Sequence, residues 1–146
     1  MLSVSPVCPR GRSAVTERLA DYPSVCEVGI GRRPGVAREL AARGVRVTAT
    51  DVRERAVPDG VAFVRGDLFV ARERVRAGRD PGRAYHATAV YALDCPPELH
   101  GPLAAVADAV DADALFTTLG GDAPTVPVER TQLPDGETLF GVSGDD

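Results

Sequence analysis

The stretch CEVGIGRRPGVARELAARG, Cys26 to Gly44, decides the fold. It opens on a short apolar run, passes through two closely spaced glycines, Gly29 and Gly31, and continues as a helix-like pattern closed by Gly44. Strand, glycine turn and helix in that order form the first unit of an alternating α/β fold. Glycines at the turn permit backbone conformations that a Cβ disfavours and let a ligand approach the main chain. The helix that follows aims free N–H groups and a positive dipole end at the same point. The plain alternative is a tight structural connection with no ligand.

Working outward, apolar runs and helical patterns keep alternating. Before the turn, Val15 and Leu19 share one face of a short helix over Ser13 to Leu19, which Pro23 ends. SVCEVGI (Ser24 to Ile30) reads as a strand buried on both faces, GVARELAARG (Gly35 to Gly44) as a helix, and VRVTATD (Val45 to Asp51) as the next strand. After the turn PDG comes a third strand, VAFVRGD (Val61 to Asp67), then a helix, LFVARERVRAG, which Gly78 and Pro81 stop. HATAVYALD (His86 to Asp94) is a fourth strand, PPELHGPLAAVADAV (Pro96 to Val110) a helix with prolines in its opening turn, and ADALFTTLGG a fifth strand. In the tail, VPVERTQLPDGETLFGV places two extended runs around PDG, the composition of a hairpin. Residues 1–12, with two prolines and a glycine, read as an irregular lead-in. The pattern predicts one domain over residues 1–146: a Rossmann-like three-layer α/β sandwich with a mostly parallel sheet and a short C-terminal β-hairpin.

Composition narrows the partners. A chain of 146 residues, 44% of them hydrophobic, can build one sizeable core. Net charge is -4 and the pI is near 5.2, so no overall positive field draws nucleic acid or an anionic membrane. All 17 basic residues are arginine. Arg72, Arg76, Arg79 and Arg83 have helical spacing, but Gly78, Pro81 and Gly82 break that helix, which leaves a solvated face rather than a nucleic-acid contact. Cys8, Cys26 and Cys95 form no Cys-x-x-Cys pair, and His86 and His100 are the only histidines, so neither a disulfide framework nor a zinc site is expected. The N-terminus has no basic leader, and no apolar run approaches the roughly 20 residues that span a bilayer. The expectation is a cytoplasmic protein without a membrane segment. Edge strands and the hairpin leave a homodimer open.

In a sheet of this kind ligands sit outside the carboxyl ends of the strands, where the strand order reverses. Gly29 and Gly31 fall there. A strict G-x-G-x-x-G would need its third glycine where Pro34 stands, with Gly35 one residue late, which weakens the case for a dinucleotide such as NAD. Asp51 ends the second strand, 20 residues past Gly31. A carboxylate at that offset can accept hydrogen bonds from both ribose hydroxyls of an adenosine. Asp67, at the end of the third strand, is placed to meet an adenine amino group. Glu27 is acidic inside an apolar strand, where desolvation calls for a cationic ligand or a buried arginine. Asp94 and Glu98 flank Cys95 at the end of the fourth strand. The thiol would be a nucleophile only if a neighbour lowered its pKa. His86 and His100 read as surface or strand-edge residues.

These residues carry a resemblance. EVGIG, the Asp51 of TD and the Asp67 of GDLF resemble the motif series of class I S-adenosylmethionine-dependent methyltransferases. EVGIG, ALDCPPEL and LFTTLGGD together resemble a small archaeal protein family of uncharacterised function with a Rossmann-type, methyltransferase-like fold, over Tyr22 to Val142. The resemblance implies that Glu27, Gly29 and Gly31 line the methionine end of S-adenosylmethionine, with Asp51 at its ribose and Asp67 at its adenine. It puts LDCPPEL at the acceptor site, similar to the Asp-Pro-Pro-aromatic motif of amino-methylating enzymes, with Cys95 inserted and Glu98 in the place of the ring. Asp94 and Glu98 are then the candidate catalytic residues, and Arg33 stands in for the third glycine of the loop. The expectation is a methyltransferase-like protein that binds an adenosine-containing ligand. A non-catalytic nucleotide sensor and a small NAD-binding protein are the alternatives.

Overall fold

The computed structural model describes residues 12–143, so Cys8 and the lead-in expected before Arg12 lie outside the described residues. Four α-helices are formed among the described residues: α1 (Arg12–Leu19), α2 (Gly35–Ala42), α3 (Leu68–Arg76) and α4 (His100–Ala109). Seven strands accompany them: β1 (Ser24–Val28), β2 (Arg46–Asp51), β3 (Val61–Arg65), β4 (Ala89–Ala92), β5 (Asp113–Phe116), β6 (Val128–Gln132) and β7 (Thr138–Val142). They make one sheet in the order β3-β2-β1-β4-β5-β7-β6. From β3 through β5 all neighbours are parallel, while β7 runs antiparallel to both β5 and β6. The expected α/β sandwich and C-terminal hairpin are both present, and the hairpin joins the sheet through its second strand.

Strand alternation explains the layers. Along β1 and β4, Val25, Ala89 and Tyr91 enter a core with Val15 and Leu19 of α1 and Leu40 of α2. Cys26, Val28, Val90 and Ala92 enter the opposite core, with Leu68 of α3 and Leu103 and Val106 of α4. Burial on both faces is why these strands read as continuous apolar runs. Helix α2 buries Val36, Ala37 and Leu40 and ends on Gly44 at φ +88°. There the Gly44 and Val45 amides donate to Ala41 O and Leu40 O at 3.0 and 3.1 Å, closing the helix in a Schellman turn.

Several expected elements are shorter than the sequence pattern suggests: β1 ends at Val28, β3 at Arg65, and β5 spans only Asp113–Phe116. The fourth strand begins at Ala89 because Arg83–Tyr85 form a 3-10 turn. The helix expected from Pro96 is a 3-10 turn, Pro97–Leu99, followed by α4 from His100. Pro102 falls in the first turn of α4, where a missing N–H breaks no intrahelical bond. Among the described residues no helix is long and apolar enough to cross a membrane.

Candidate functional site

The strand order reverses between β1 and β4, which carry their next neighbours in opposite directions. Gly29 and Gly31 stand at the carboxyl end of β1 with φ +72° and +59°, conformations that strain any residue with a Cβ. A Cβ on Gly29 would meet nothing within 4 Å, and one on Gly31 only the Gly29 carbonyl at 3.9 Å. The glycines therefore leave an open cradle over a main chain held from below. The amides of Gly29 and Ile30 both donate to Thr50 O, at 2.9 and 3.1 Å, strapping the turn to β2.

Asp51 completes that strap. Its Oδ2 accepts the Gly31 N–H at 2.8 Å and its Oδ1 the Arg53 N–H at 3.1 Å. Arg55 Nε lies 3.4 Å from Oδ2, an ion pair without hydrogen-bond alignment. Burial pushes the Asp51 pKa up, but the Arg53 and Gly31 amides and the Arg55 charge outweigh it and hold the carboxyl below its ordinary value. A carboxylate offers about four lone-pair sites, and three here face protein donors. Sequence reasoning found Asp51 but missed Arg55, whose only signal is its i+4 offset from the strand-ending acid.

Glu27, 2% exposed, accepts the Tyr91 hydroxyl at 2.7 Å from the neighbouring strand. Burial and the Glu27 charge keep that hydroxyl protonated, with its pKa well above the ordinary value. Tyr91 is a neutral donor, where the sequence reading looked for a cationic ligand or an arginine beside Glu27. Asp67 caps α3, with Oδ1 accepting the Phe69 N–H at 2.8 Å. It sits close to Asp51, because the intervening Gly66 amide donates to Asp51 O at 2.9 Å. Val52, 56% exposed, follows Asp51 on this rim.

Across the switch point, Asp94 holds φ +50°, rare for a residue with a side chain. Thr117 locks it there: its Oγ1 accepts the Asp94 N–H at 2.8 Å and its carbonyl the Cys95 N–H at 2.7 Å. Arg33 of the glycine loop lies 3.9 Å from Asp94 Oδ2, so the loop and the end of β4 face each other. Glu98 is exposed on the 3-10 turn beyond. Cys95 is buried, and desolvation, with the Glu98 charge adding to it, raises its pKa to about 12. Such a thiol is a poor nucleophile at neutral pH. His100 departs from the expected surface position and is fully buried. Its Nδ1 accepts the Thr125 N–H at 3.1 Å, so Nε2 carries the proton and donates to Cys95 O at 3.1 Å, with the ring stacked on Phe116. His86 is at the surface beside Asp80. No three His, Cys, Asp or Glu side chains among the described residues could hold a metal ion together.

Comparisons with known proteins agree with this geometry. Residues 13–143 match the model of a family described as an uncharacterised protein family, UPF0146. A UPF0146 protein of Halobacterium salinarum is 47% identical over 124 residues, covering 84% of this chain and 88% of the relative. Among solved structures, an RNA methyltransferase from Salinibacter ruber in complex with S-adenosyl-L-homocysteine superposes with a TM-score of 0.57 at 20% identity, over 92% of each chain. The N-methyltransferase NodS from Bradyrhizobium japonicum WM9 gives 0.57 at 15% identity, over 89% of this chain and 92% of its own. At those identities the likeness is one of fold.

Proposed function

Since this chain belongs to the UPF0146 family and has the fold of class I S-adenosylmethionine-dependent methyltransferases, we propose that it binds S-adenosylmethionine or its demethylated product at the carboxyl edge of β1 and β2. The observation that carries the reading is the clasp between Gly31 N and Asp51 Oδ2, 2.8 Å across 20 residues. It fixes an open glycine cradle beside a carboxylate at the one place in the sheet where strand order reverses. The donor set suits the ligand. Gly29 and Gly31 would leave room for the methionine end, and Glu27 would stand beside it. Asp51 would hold the ribose through its remaining lone pair and by exchanging Arg55. Asp67 would take the adenine amino group on Oδ2, with Val52 as an apolar wall. When bound, the cofactor supplies an electrophilic methyl group. Alignment and exclusion of water contribute most to a transfer of that kind, so the rigid Thr117–Asp94 turn matters more than a catalytic triad. Asp94 can accept a proton from an acceptor held between it and Glu98.

Glu98 is exposed where a stacking ring would be expected, and this favours a second reading, a ligand sensor without methyl transfer. Calorimetric titration with S-adenosylmethionine, S-adenosylhomocysteine and NAD tests both. Saturable binding of the first two, weakened by about 1–3 kcal/mol in Asp51→Ala, supports the site. Unchanged affinity in a folded Asp51→Ala rejects the ribose role, and a preference for NAD rejects the cofactor class. Binding without a methylated product across candidate acceptors selects the sensor.

A further inference from the structure

Of the two edge strands of the sheet, one is guarded and one is open. β6 reads VERTQ, with Glu129 and Arg130 exposed along it and Pro127 and Pro134 just outside its ends. Charges and prolines of that kind keep a further strand from adding to an edge. β3 reads VAFVR, with no proline and no charge before Arg65 at its last position. It pairs only with β2, and among the described residues no strand lies on its other side. We infer that the open edge of β3 is an interface for a second copy of this chain, joined antiparallel across a two-fold axis at Phe63. The inference needs only the fold and stands apart from the nucleoside reading.

Backbone, side chains and charge all favour a second copy as the occupant. Gly66 N donates inward to Asp51 O at 2.9 Å, and the N–H and C=O groups of a strand change sides from one residue to the next. Those of Phe63 and Arg65 therefore point to the open side. Paired antiparallel at Phe63, each copy's Phe63 exchanges two backbone hydrogen bonds with the other's, and Ala62 falls opposite Val64 of the second copy. Phe63, half-buried beside the core of α1 and α2, then meets its own symmetry mate. On the other face Val64, 44% exposed, gains the exposed Ala62. Apolar cross-strand pairs of this kind stabilise the ladder they sit on. The ends carry opposite charges: Arg65 of one copy comes level with Val61 of the other, a diagonal step from Asp59 just ahead of the strand. The two-fold axis makes that contact twice. Asp59 and Arg65 are exposed, and neither enters an ion pair among the described residues. Around them Arg53, Arg55 and Arg65 are balanced by Glu54, Asp59 and Asp67, so two such surfaces carry no net charge to drive them apart.

Sedimentation velocity of the full chain over a wide range of concentration tests this, and a reversible dimer is expected. Ala62→Lys puts a charge on an exposed side chain at the middle of the edge and should weaken dimerisation at least tenfold. Arg65→Asp and Asp59→Arg each set like charges together at both ends of the ladder and should each weaken it at least fivefold. The two reversals combined should restore it. Circular dichroism checks that every variant is folded, and Asp59→Arg, which lies outside the strand, keeps the test open where Ala62→Lys does not fold. A monomer at every concentration overturns the proposal, as does a dimer that the folded variants leave unchanged. Failure of the double reversal to recover dimerisation overturns the antiparallel pairing at Phe63. Species larger than a dimer mean a head-to-tail contact that does not close on itself, and they overturn the two-fold arrangement.

Discussion

At the scale of single residues, Asp51 is both a structural clasp and the candidate ribose ligand, and the two roles can be separated by pH. Its folded pKa lies below the ordinary carboxylate value because the Arg53 and Gly31 amides and the Arg55 charge outweigh the effect of burial. The native state therefore binds the proton less readily than the unfolded chain. The resulting stability is present above an unfolded pKa of about 3.9 and is lost as pH falls through the lower, folded value. Asp51→Asn should reduce the unfolding free energy at neutral pH by about 1–3 kcal/mol. It should also flatten the fall in stability below roughly pH 4. Urea unfolding of both proteins across that range measures this, and parallel pH profiles would show that the clasp carries no linkage. Gly29, Gly31 and Asp51 were legible because turn chemistry and spacing are local properties. The contact of Glu27 with Tyr91 was not: the two are 64 residues apart, and only strand pairing brings them together. His100 was hidden for the same reason, since its hydrogen-bond partners Cys95 and Thr125 are drawn together by the path of the chain after β5.

At the scale of elements, α3 and α4 show how far local pattern reaches. Asp67 was read as an adenine ligand, and what the structure gives it is a helix cap. Asp67→Ala should lower stability by about 0.5–2 kcal/mol, whereas Asp67→Asn, an equally good cap, should leave it nearly unchanged. Thermal denaturation reads the cap, and titration of the same two variants reads the ligand role independently. If Ala and Asn variants melt together, the cap is not holding the helix. The helix expected from Pro96 begins only at His100, because local pattern could not show that Pro97–Leu99 would form a 3-10 turn, or that His100 would join α4 to the segment after β5. His100→Phe keeps a ring against Phe116 and leaves Cys95 O and Thr125 N–H unpaired. Denaturant unfolding should show a loss of about 1–3 kcal/mol for Cys95 O, left buried without a partner, while the amide of the exposed Thr125 can turn to water. A variant as stable as the parent would mean that water reaches Cys95 O as well.

At the scale of the whole molecule, alternation of strands and helices was enough to predict a parallel, two-faced sheet, because burial on both faces and right-handed crossovers leave few other solutions. Strand order is a different matter. Nothing local in VPVERTQLPDGETLFGV tells β7, rather than β6, to pair with β5. The structure settles it with Leu115 opposite Gly141 and Phe116 opposite Phe140, and with the Phe140 ring stacked on Phe116 in the core. That arrangement leaves β6 attached to the sheet only through β7, with most of its residues exposed or half-buried, and leaves β3 attached only through β2. β1 and β4 are instead bonded on both sides, with Val25, Cys26, Ala89 and Val90 at most 1% exposed. Cooperative units open from their least buried members, so protection against amide exchange should fall outward from the switch point. Native-state hydrogen exchange in a denaturant series should find the β1 and β4 amides exchanging only by global unfolding. The β6 amides should open through a smaller transition that leaves the central strands closed. Equal protection across the sheet would mean that the hairpin and the glycine cradle form one cooperative unit, and that a ligand held at the cradle would stabilise β6 as much as β1.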